Sequence, residues 1–135
     1  MKLHHIFAAV ATASILVSCS KTEESYVEDR CALQMEAAEI MQNCHTWDDA
    51  FDAADELHAI ADKMKELSEE KKRNAYEIEE AQLSMTLAEQ KEAADRIKNL
   101  RNEANDKMKR AMEHLSGNDA GKSLYLQFAV KRVSH

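Results

Sequence analysis

Apolar side chains recur at helical intervals along most of this chain. Tyr26, Leu33, Ala37, Ile40 and Cys44 share one stripe, and Ala50, Ala53, Leu57, Ile60, Met64 and Leu67 form a second at spacings of three and four. Leu87, Ala94, Ile97, Ala104, Met108, Ala111 and Leu115 keep a near-heptad spacing up to Ser116-Gly117, which reads as a C-terminal stop. Ser25-Tyr26-Val27-Glu28 reads as a capping box opening the first helix, and Thr46-Trp47-Asp48-Asp49 has the cap chemistry that opens the second.

Two stretches admit more than one reading. After Leu67 the stripe fades into Glu69-Glu70-Lys71-Lys72-Arg73-Asn74. Either residues 68–73 form a hairpin turn with Asn74 capping a new helix, or they are an exposed part of one long helix. A helix over 74–116 would be about 64 Å long, outreaching its partners, and Thr86-Leu87-Ala88-Glu89 offers a capping box at which to break it. The tail, Leu124-Tyr125-Leu126-Gln127-Phe128-Ala129-Val130, alternates like a strand without a partner strand. It reads equally as a helix with Tyr125, Phe128, Ala129 and Val133 on one side. Such a tail either packs on the bundle or is an apolar segment that docks on another protein.

The chain has no proline, and its two glycines, Gly117 and Gly121, lie close together near the C-terminus. Ala, Glu, Lys, Leu, Met and Gln dominate between 22 and 116, and β-branched clusters are missing there. The expected fold is all-α, a small antiparallel helical bundle or extended helical hairpin of three to four helices. The expected organisation is a leader over 1–18, a polar tether over 19–24, the helical domain over 25–116, and a turn with an apolar tail over 117–135.

The leader carries Lys2, an apolar run over 6–17, and small residues before a cysteine, the layout of a secretory signal. The run is too short to span a bilayer, which takes roughly 20 apolar residues. Its last residues, Leu16-Val17-Ser18-Cys19, resemble the lipobox of bacterial lipoprotein precursors. The resemblance covers only this export segment. It implies a diacylglyceryl thioether on Cys19, cleavage before it, acylation of the new N-terminus, and attachment to a membrane through that lipid anchor. Ser20 stands where an aspartate is linked to inner-membrane retention in enteric bacteria, so the outer membrane is the favoured location. The following Lys21-Thr22-Glu23-Glu24 loosely resembles surface-export signals.

Charge is uneven along a chain whose net charge is −7. Residues 22–62 hold twelve acids and one base, Arg30, whereas 63–135 hold thirteen acids and fifteen bases. That pattern suits an acidic front half folding against a more basic rear half. The alternative is an acidic face offered to cations or to a basic partner. Nucleic acid is not an expected partner, because neutralising phosphates needs clustered Lys and Arg.

Candidate chemistry is sparse. His45, Asp48, Asp49, Asp52, Asp55 and Glu56 are the densest group, and their carboxylates fall on adjacent lines of one helix. A hard cation such as Ca²⁺ would relieve their repulsion. The spacing matches no HExxH, CxxC or EF-hand pattern, so a solvated acidic face is the expected role. His58, His114 and the methionines raise haem ligation, but no CxxCH motif is present and no cofactor is expected. Cys31 and Cys44 would lie roughly 20 Å apart along one helix, beyond the 7 Å or so a disulfide allows. Buried free thiols, or a bridge between two chains, are the readings left. Cys44-His45 are adjacent, yet no acid–base constellation accompanies them, so a non-enzyme is expected. Met35, Met41, Met64, Met85, Met108 and Met112 sit at core-packing spacings, or serve surfaces that accept varied partners. Trp47 and Phe51, one turn apart, should anchor the second helix against the first; exposed, they would mark a docking patch.

These features point to an envelope lipoprotein that binds or supports another envelope component, a protein partner. A cation- or stress-client-binding helical protein of the periplasm is the alternative, through its acidic helices and methionine-rich grooves. A third reading resembles the murein-linked helical lipoproteins, which form coiled-coil homo-oligomers and attach to the wall through a C-terminal lysine. This chain instead ends Lys131-Arg132-Val133-Ser134-His135, with interrupted heptads.

Overall fold

The structure is a computed structural model describing residues 21–135; the expected leader and the expected acylation site at Cys19 lie outside these residues. The described chain is all-α, with five α-helices where three to four were expected. They are α1 (Glu23–Gln42), α2 (Trp47–Arg73), α3 (Ala75–Leu83), α4 (Leu87–Ser116) and, after a 3-10 turn over Ala120–Lys122, α5 (Leu124–Ser134). The short α3 takes the alternative of a separate helix between Asn74 and Thr86, and the addition is the tail, which is helix rather than strand.

Local chemistry explains most of the boundaries. α1 starts earlier than expected, because Thr22 rather than Ser25 is its cap: the Ser25 amide donates to Thr22 Oγ1 at 3.2 Å. The helix thus takes up Glu23 and Glu24, the last third of the expected tether. At Thr46 the expected capping box forms, with the Asp49 amide donating to Thr46 Oγ1 and the Thr46 amide donating to Asp49 Oδ2. Thr86 and Glu89 make the same reciprocal pair at the start of α4. Residues 68–73 neither turn nor join a single long helix. α2 runs through them to Arg73, and the break falls at Asn74 alone. Asn74 does not cap α3 through its side chain. Its Nδ2 donates instead to Tyr26 Oη at 3.0 Å, tying the end of α2 to the start of α1.

The four longer helices run up, down, up and down, each antiparallel to the next. Glu24 on α1 pairs with Arg96 on α4, and the Cys44 carbonyl after α1 accepts from His114 near the end of α4. α1 and α4, first and third in this order, therefore run parallel. The main core joins Ala37, Ala38 and Met41 of α1, Ala53, Ala54, Leu57 and Ile60 of α2, Met108, Ala111 and Leu115 of α4, and Leu126, Ala129 and Val133 of α5. Its many alanines let the helix axes approach closely, since interaxial distance follows side-chain size. A smaller cluster of Val27, Cys31 and Ala104 continues the α1–α4 seam.

Ion pairs cross from the acidic front to the rear of the chain. Lys71 Nζ meets Glu23 at 2.7 Å, and Arg96 grips both carboxylate oxygens of Glu24. Arg30 donates to the carbonyl of His135 at 2.7 Å, pinning the last residue to α1. Among the described residues no helix is long and apolar enough to cross a membrane.

The methionines divide by position. Met41, Met64 and Met108 are buried, whereas Met112 is exposed. Cys31 and Cys44 are both free and buried.

Candidate docking face

Trp47 and Phe51 do not anchor α2 on α1. They are 51% and 56% exposed: Phe51 lies out of phase with the inward stripe of Ala50, Ala53, Ala54 and Leu57, and Trp47 is the first residue of the helix, at the end of the bundle. The tail supplies what lies beside them. α5 buries Leu126, Ala129 and Val133 and leaves Leu124, Tyr125 and Phe128 outside, Phe128 at 67% exposure. The rings of Phe51 and Tyr125 lie 6.2 Å apart, within aromatic contact range. Tyr125 also meets the His58 ring edge-on at 5.6 Å and donates its hydroxyl to Asp55 Oδ1 at 3.3 Å. Two segments separated by some 70 residues thus form one aromatic surface over α2 and α5.

The acidic group foreseen as a cation candidate borders this surface. Asp48, Asp52, Asp55 and Glu56 are exposed on α2. Asp49 is occupied locally: its Oδ2 accepts from the backbone amides of His45 and Thr46 at 3.0 and 3.1 Å. Those two hydrogen bonds hold its carboxyl below the ordinary carboxylate value. His45 stacks edge-on against His114, centroids 5.0 Å apart. His114 is engaged in turn, its Nε2 donating to the Cys44 carbonyl at 2.9 Å. Among the described residues no three His, Cys, Asp or Glu side chains come together to hold a metal ion.

Neither thiol is set up as a nucleophile. Burial pushes the Cys31 thiol up, and burial with the nearby Asp49 and Glu56 carboxylates pushes Cys44 up. A reactive thiolate needs the opposite environment, exposed and electropositive.

The half of the face carried by α5 was not placed by sequence reasoning. The helical reading of the tail put Tyr125, Phe128, Ala129 and Val133 on one side; the structure splits that set, burying Ala129 and Val133 with Leu126 and leaving Tyr125 and Phe128 outside, because the buried stripe runs at spacings of three and four from Leu126. No protein-family model matches the chain, and neither the curated proteins nor the solved structures compared with it give a match.

Proposed function

We propose that this chain is an envelope lipoprotein, held by an acylated Cys19 at a membrane, the outer one where there are two. Its helical domain is a non-catalytic binding module that docks a basic protein surface on the α2–α5 aromatic face. The observation that carries the reading is the exposed set Trp47, Phe51, Tyr125 and Phe128 beside the acidic row of α2. Trp and Tyr are the residue types that dominate binding hot spots, and the flanking carboxylates select a partner of opposite charge. Placement supports it as well. The bundle begins at Thr22, three residues after the anchor cysteine. Glu23 pairs with Lys71 at the far end of α2, so the aromatic face stands about 30 Å further along that helix.

A photo-crosslinking amino acid placed at Phe51 or at Phe128 in cells tests this. Both positions should capture the same protein, and the double reversal Asp52→Lys with Glu56→Lys should abolish capture without changing the melting temperature of the purified protein. Capture from neither position, or equal capture from a control position at Lys98 on α4, would overturn the reading.

A further inference from the structure

The opposite end of the molecule carries a different feature. α4 is 30 residues long and α1 only 20, and Arg96 stands opposite Glu24. The first two turns of α4 therefore extend beyond the start of α1 and have only α3 beside them. Between them lies an open groove of about 530 Å³. Ile78 of α3 and Ala93 of α4 form its floor, and Ala75, Ala94 and Ile97 its walls. Leu83, 74% exposed, is the lip, with Leu87 beyond it at 84%. Gln90 fixes the far end, its Nε2 donating to the carbonyls of Gln82 and Met85 across the α3–α4 turn. The near rim is Thr22, Glu23 and Glu24 at the head of α1.

We infer that this groove holds one acyl chain of the protein's own lipidated Cys19. The inference rests on the lipoprotein reading above. Three observations select this occupant. Cys19 lies three residues before Thr22 on the rim, and three extended residues span about 10 Å, so a chain on that sulfur or on its amino group reaches the opening. The groove is apolar along its floor and walls and, at about 530 Å³, has room for a hydrocarbon chain lying along it. The surroundings are acidic, with Glu77, Glu79 and Glu80 on α3 and Glu89 and Glu92 on α4. That charge disfavours a free fatty acid or an anionic headgroup but not a neutral ester- or amide-linked chain. Of the two lysines that line the groove, Lys71 is paired with Glu23, and Lys72 stands among three lining carboxylates, Glu23, Glu24 and Glu79, so the rim keeps a net negative charge. Occupied, the groove would cover apolar surface at the foot of the bundle and shield part of the anchor from water whenever the protein leaves a bilayer.

The test is intramolecular photo-crosslinking in the full-length protein. Cells are fed a fatty acid carrying a terminal diazirine, the protein is extracted in mild detergent and illuminated, and its peptides are mapped by mass spectrometry. Cross-links from Cys19 to peptides of α3 and of residues 87–97 are expected. The exposed groove-wall variant Ala94→Trp should reduce them at least fivefold while leaving the melting temperature unchanged. Probe on Cys19 with cross-links to detergent or phospholipid alone overturns the groove assignment and leaves the lipoprotein reading standing. A bare Cys19, with the N-terminal methionine retained, overturns both.

Discussion

The two ends of the bundle are built from similar helices and finish differently. At the upper end α1, α2, α4 and α5 all meet, and a network of side-chain hydrogen bonds closes them. His114 and Asn118 both donate to the Cys44 carbonyl, and Asn118 Oδ1 accepts the Gly121 amide. At the lower end α4 overshoots its partner and α3 alone faces it, leaving Leu83 and Leu87 in solvent. The lesson is that periodicity measures a helix's capacity to bury a stripe, not whether a neighbour is there to cover it. Leu87 keeps the same heptad phase as the buried Leu115.

Core truncation should separate the ends most strongly. Leu126→Ala empties a fully buried site among four helices and should cost about 3 kcal/mol in urea unfolding, whereas Ile78→Ala beside the open groove should cost about 1. Equal losses would mean that the lower end is packed as tightly as the upper.

The turn into α5 gives the next largest effect. A Cβ on Gly121 would lie 1.7 Å from the Leu115 carbonyl oxygen, closer than any real contact, so Gly121→Ala must displace the backbone that returns α5 to α2. A loss of about 2 kcal/mol is expected. Gly117 has ordinary negative φ and its nearest neighbour would sit at 3.6 Å. Gly117→Ala should therefore stabilise by about 0.5 kcal/mol. Melting curves of the two variants decide the point, and an identical response would remove the close-approach argument.

The two capping boxes sharpen the comparison further. Thr46→Ala and Thr86→Ala each remove one cap, worth about 1 kcal/mol. Thr46 starts a helix whose next turns are in the core, so its loss should lower global stability. Thr86 starts the overhanging turns, so its loss should appear chiefly as faster amide exchange over residues 87–95.

The smallest effect is at acid pH. The Asp49 carboxyl is held below its unfolded value, so the unfolded chain takes up its proton first. The stabilisation is complete above the ordinary carboxylate pKa, about 4, and is lost as pH falls through the lower folded value. Asp49→Asn should therefore flatten the acid limb of the urea midpoint between about pH 5 and 3. An unchanged limb would assign that stability elsewhere.

Much of the fold was legible because it is local. The caps at Thr46 and Thr86 follow from one side chain meeting an amide three residues on, and the stripe from Ala50 to Met64 follows from helical phase. The missing prolines and β-branched clusters fix the helical class in the same way. The unpaired state of Cys31 and Cys44 follows from rise per residue. Other features needed partners distant in the chain. The tail became helix because α2 offered an apolar stripe, not a strand edge, to pack on. Phe51 faces outward because alanines had already filled the inward phase, and Trp47 because it stands at the very start of α2. Their pairing with Tyr125 joins residues some 70 positions apart, and no local pattern carries that information. The sequence alone set where helices start and which faces they can bury; the tertiary structure chose which of those faces are covered, because burial depends on the length and register of whatever lies opposite.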